Sequence, residues 1–70
     1  MTGSAKRGTV SAFDERAGLG EITTEDATVY PFHCTMITDG SRTIEVGAAV
    51  SFEVVPGRLG HWEAAQITPA

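Results

Sequence analysis

A chain of 70 residues makes one small domain with a limited core and a thin margin of stability. Nine acidic against five basic residues leave a formal charge of −4, which counts against a broad phosphate-binding face while leaving room for a local basic patch. The single cysteine, Cys34, excludes an internal disulfide, and no set of residues has the spacing of a four-ligand structural zinc.

No apolar run approaches the ~20 residues of a membrane-spanning helix, and no apolar leader opens the sequence. An unpaired thiol suits a reducing compartment. The expectation is a cytoplasmic protein, away from the membrane.

Residues 1–5 are small and polar and read as a loose tail. The domain proper is expected over 6–70. Lys6 and Arg7 stand just before a first strand over 7–13, rich in Thr, Val and Phe. Val10 and Phe13 differ in parity, so a bulge or a sharp bend is needed between them if both face inward. Asp14 to Gly18 is a polar turn. Gly20 to Thr23 forms a second strand, antiparallel to the first, and Thr24 to Ala27 turns the chain again.

The third strand is expected over 28–33. Pro31 within it lacks a ladder donor and marks an edge or an irregular position. From Cys34 to Gly47 the periodicity is lost. Asp39-Gly40 and Glu45-Val46-Gly47 are turn signals, and a short 3₁₀ turn is expected near Thr35 to Ile37. Alternation at Val50, Phe52 and Val54 gives the clearest strand, over 48–55. A loop of breakers, Pro56 to Gly60, leads to a last strand over 62–68. Five short strands with turns between them indicate a small all-β barrel.

Several motifs carry a resemblance. Gly8-Thr9-Val10-Ser11-Ala12-Phe13-Asp14 is similar to a strand that usually reads Gly-x-Val-Lys-Trp-Phe-Asn. Ala17-Gly18-Leu19-Gly20-Glu21-Ile22 is similar to Lys-Gly-Phe/Tyr-Gly-Phe-Ile. Tyr30-Pro31-Phe32-His33-Cys34 is similar to Val-Phe-Val-His-Phe, with its aromatics shifted by one place. Glu45 to Val54, and Gly60 with Ala64-Ala65-Gln66-Ile67, match the scaffold strands that follow. Over Lys6 to Pro69 the chain resembles the cold-shock domain family of bacterial cold-shock-like proteins.

That resemblance implies a five-stranded antiparallel barrel of the oligonucleotide/oligosaccharide-binding type. It implies weak, largely sequence-independent binding of single-stranded RNA or DNA, in an RNA chaperone or a regulator of transcription or translation. The departures fall on the ligand side. Ser11 and Ala12 replace a lysine and a tryptophan, and Glu21 puts a carboxylate where an aromatic face is usual.

The candidate contacts are Phe13, His33, Tyr30, Phe32 and Trp62 for bases, with Lys6, Arg7, Arg42 and Arg58 for phosphates. Phe13 stacks on a base or caps the core. Tyr30 and Phe32 lie on the wall or inside it, since a one-residue shift reverses the face a strand residue occupies. Trp62 is a relocated stacking platform or a plug of the barrel.

His33 contacts nucleic acid or is simply exposed. A metal role is disfavoured, because neighbours along a strand point to opposite faces. Cys34 reads as a small half-buried hydrophobe. Gly18-x-Gly20 lacks the Gly-Lys-Ser/Thr and helix of a phosphate loop. No catalytic group, metal or cofactor is expected. The expected partner is single-stranded nucleic acid, bound by a monomer. The competing reading is a barrel-type protein-interaction module that has lost its nucleic acid, which Glu21 and the negative charge favour.

Overall fold

Alternating apolar residues with turns at short intervals give five antiparallel strands in one sheet, in the order β3-β2-β1-β4-β5. The strands are β1 Lys6–Asp14, β2 Leu19–Thr23, β3 Val29–His33, β4 Ala49–Pro56 and β5 Trp62–Pro69, with a 3₁₀ turn at Cys34–Met36. These elements belong to a computed structural model that describes residues 6–40, 43–57 and 60–70. The expected tail at residues 1–5, and Arg42 and Arg58, lie outside the described residues.

The inward side chains Val10, Ile22, Phe32, Ile37, Val50, Phe52, Ala64 and Ile67 form the buried cluster. Of the two devices that would turn both Val10 and Phe13 inward, the strand uses a bulge. Val10 pairs with Ile22 and Ala12 with Glu21, so Ser11 is the extra residue. That insertion lets Val10 and Phe13 both face inward despite their parity. A second register shift, between Ser51 and Glu53 against β5, accompanies Gln66 at φ 52°.

β3 is an edge strand of the hydrogen-bonded order, one of the two settings expected for Pro31. The sheet is not closed by a ladder between β3 and β5. Its ends are tied by the segment after the 3₁₀ turn. Ile37 bridges to Ile67, and the Thr38 N–H donates to the Ile67 carbonyl at 2.9 Å. The all-β, five-stranded expectation holds, and side-chain packing with this one bridge does the work of closure.

Candidate nucleic-acid interface

The register sorts the residues of β1, β2 and β3 into an inner and an outer set. Phe13–Gly20–Phe32 and Val10–Ile22–Tyr30 are cross-strand rows on the core side. Asp14–Leu19–His33, Ala12–Glu21–Pro31 and Thr9–Thr23–Val29 are the rows of the outer wall. All of this wall is exposed except Thr23, which is partly covered.

Phe32 must be corrected. It is only 2% exposed and belongs to the core. The shift of one place in the second motif gives it inward parity, and the family's outward ring position falls to Pro31. Tyr30 follows the same parity. It is half-buried, with its ring 5.5 Å from that of Phe52 at a tilt of 56°.

Phe13 is also half-buried. Its ring stacks on Phe32, with centroids 6.0 Å apart and planes within 12°. One face of the ring is therefore committed to the core. Its remaining surface lines a hollow of about 410 Å³, together with Ala12, Leu19, Glu21 and Pro31.

One turn borders this hollow. In the β1–β2 turn, the Asp14 carboxylate accepts from the N–H groups of Arg16 and Ala17, at 3.0 and 3.2 Å. Gly18 follows at φ 69°, in the left-handed region that favours glycine, and delivers Leu19 to the wall. The Cys34 N–H donates to the Gly18 carbonyl at 2.8 Å, which ties the end of β3 to the same turn.

His33 is exposed on the wall and caps the 3₁₀ turn. Its Nδ1 accepts from the Thr35 N–H at 3.3 Å. An uncharged imidazole has one donor and one acceptor nitrogen, so this bond assigns the hydrogen to Nε2. His33 therefore presents a donor.

Trp62 is 58% exposed and is a surface ring rather than a plug. It pairs across the β4–β5 hairpin with Pro56, beyond the point where Phe52 pairs with Lys6. His33 lies at the other end of its strand, opposite Leu19. Trp62 and His33 thus stand at opposite ends of the strands and share no platform.

Lys6 and Arg7 are exposed near the Trp62 end. They line a broader concavity of about 980 Å³ with Thr9, Ser11, Thr23, Tyr30 and the acidic Glu25 and Asp26. This larger concavity mixes both signs of charge and carries no exposed ring. Hydroxyls run through it, and the Thr23 hydroxyl donates to Ser11 Oγ at 2.8 Å.

Sequence reasoning passed over Leu19 and Pro31 as wall residues. The signal was available. Gly20 and Ile22 are inward, so Leu19 and Glu21 must point out, and Pro31 shares the parity of His33. Among the described residues, no three His, Cys, Asp or Glu side chains group as metal ligands. No helix there is long and apolar enough to cross a membrane.

One open sheet of five antiparallel strands curled around a single core defines a small all-β class of domain. Residues 6–70 match the 'Cold-shock' DNA-binding domain, and the chain belongs to that family. No curated protein matches the sequence. A solved structure of Drosophila Unr, CSD456, is similar, with a TM-score of 0.77 and 27% identity over 94% of this chain. The chain spans 26% of that structure's length, so the likeness is to a part of it.

Proposed function

We propose that this chain binds single-stranded RNA or DNA weakly, along the outer wall of β1 to β3. The observation that carries the reading is the wall itself. It belongs to a domain that matches the 'Cold-shock' DNA-binding family over residues 6–70, and it carries a hollow of about 410 Å³ lined in part by Phe13, Leu19 and Pro31, with His33 exposed in the same strand.

The weakness has a physical cause. A base stacked on an aromatic contributes about 1–3 kcal/mol, and Ala12, Leu19, Glu21 and Pro31 supply no such ring. Contact then rests on the apolar surface of Leu19 and Pro31, the exposed part of Phe13, and His33. Further along the strands, Lys6 and Arg7 neutralise phosphates and Trp62 offers one stacking face. Binding of this kind suits an RNA chaperone or a regulator of transcription or translation.

The test is a titration with labelled oligo-uridine or oligo-dT at low salt. Saturable binding that weakens in Leu19→Ala supports the reading. Phe13→Ala is a poor probe, because it also removes the ring stacked on Phe32. A second reading, a protein-interaction module, is favoured by Glu21 at the centre of the wall. It gains if folded protein binds neither oligomer at tens of micromolar.

A further inference from the structure

Glu21 is exposed, with Ala12 on one side of it and Pro31 on the other. Its backbone carbonyl accepts from the Ser11 hydroxyl, and no described side chain holds its carboxylate. It lines the hollow with three apolar neighbours, Ala12, Leu19 and Pro31. A lone carboxylate in such a place repels phosphates. It is also an acceptor-only group with two oxygens side by side.

The Watson–Crick edges of the bases differ in how they meet such a group. Guanine presents two adjacent donors, N1–H and the N2 amino group, next to the acceptor O6. Uracil and thymine present one N–H between two carbonyls, which a carboxylate opposes. Adenine and cytosine each present one amino group beside a ring-nitrogen acceptor. Only guanine offers paired donors to paired oxygens.

His33 stands in the next row, two residues along β3 from Pro31. Its ring leans away from Glu21, with Nδ1 on Thr35 and Nε2 toward Gly18, so Glu21 reads the base edge alone.

We infer that Glu21 makes this wall prefer guanine, by reading the base edge over an apolar floor. The inference rests on the proposed single-strand binding and adds a base preference to it. It also gives Glu21 a role in the ligand site.

Fluorescence anisotropy with short RNA oligomers tests it. One oligomer is all uridine, a second carries one central guanosine, and a third carries inosine there, which lacks the N2 amino group. The guanosine oligomer is expected to bind about tenfold tighter than all-uridine, with inosine between them. Glu21→Gln is expected to bind the all-uridine oligomer more tightly and to lose the guanosine preference. Equal affinity for uridine and guanosine oligomers overturns the assignment, as does a preference that survives Glu21→Gln. In either case the binding itself stands. Failure to bind any of the three overturns the single-strand reading as well.

Discussion

The Phe32 ring closes directly over Gly20. A Cβ at position 20 would fall 2.4 Å from Phe32 Cζ and 2.9 Å from the Ala12 carbonyl oxygen. One of these obstacles is a buried ring already stacked on Phe13, and the other is backbone. Neither gives way cheaply. Gly20→Ala is therefore expected to destabilise the fold by about 1–3 kcal/mol, the usual cost of overpacking a filled core. Urea unfolding measures it. An unchanged midpoint would mean that the ring does not lie where the structure places it.

The same contact explains what was legible in the sequence. Five strands and their turns followed from local signals, alternation and breakers, while parity asked only for a bulge or a bend before Phe13 and Pro31 only for an edge or an irregular position. Register was the difficult quantity. Tyr30 and Phe32 look like stacking rings until the pairing of Gly20 with Phe32 fixes their parity. Closure was not legible either, because Ile37 and Ile67 are distant in sequence and meet only once the sheet has curled. Trp62 was open to two readings because its exposure depends on how the hairpin ends.

Glu21→Phe should convert this wall toward a stacking surface. The position is exposed and shares a cross-strand row with Ala12 and Pro31, so a ring there adds a face for a base without entering the core. One base stacked on an aromatic is worth about 1–3 kcal/mol, so oligo-uridine should bind on the order of tenfold or more tightly than to the parent protein. Stability should change by no more than about 0.5 kcal/mol, as for most surface substitutions. Titration beside urea unfolding checks both. Unchanged affinity would show that the strand does not cross this row.

Salt should affect binding only mildly. A plot of log affinity against log salt falls with a slope of about −0.7 per phosphate neutralised on a single strand. Lys6 and Arg7 are the two cations among the described residues that line the broader concavity. The double substitution Lys6→Ala with Arg7→Ala should therefore make the slope shallower by about 1.4. A slope that does not move would remove both residues from the phosphate path.

Asp26 offers a pH-dependent prediction. Its carboxylate accepts from the Thr24 hydroxyl and, at 3.2 Å, from the Thr28 N–H, within the β2–β3 turn. Hydrogen bonds to the charged form, that from the Thr24 side chain first and those from Thr28 next, hold its pKa below the ordinary aspartate value. A pKa lowered in the folded state adds stability that is fully present above the unfolded value, about 3.9, and is lost as pH falls through the folded value. Asp26→Asn should thus be less stable than the parent at neutral pH, and the gap should narrow as the solution is acidified below about pH 4. Because Asp26 is fully exposed, the effect should be small and should shrink with added salt. Urea midpoints of the two proteins, taken across that range, decide it. A gap that stays constant or widens on acidification would mean that the charge on Asp26 plays no part in holding the turn.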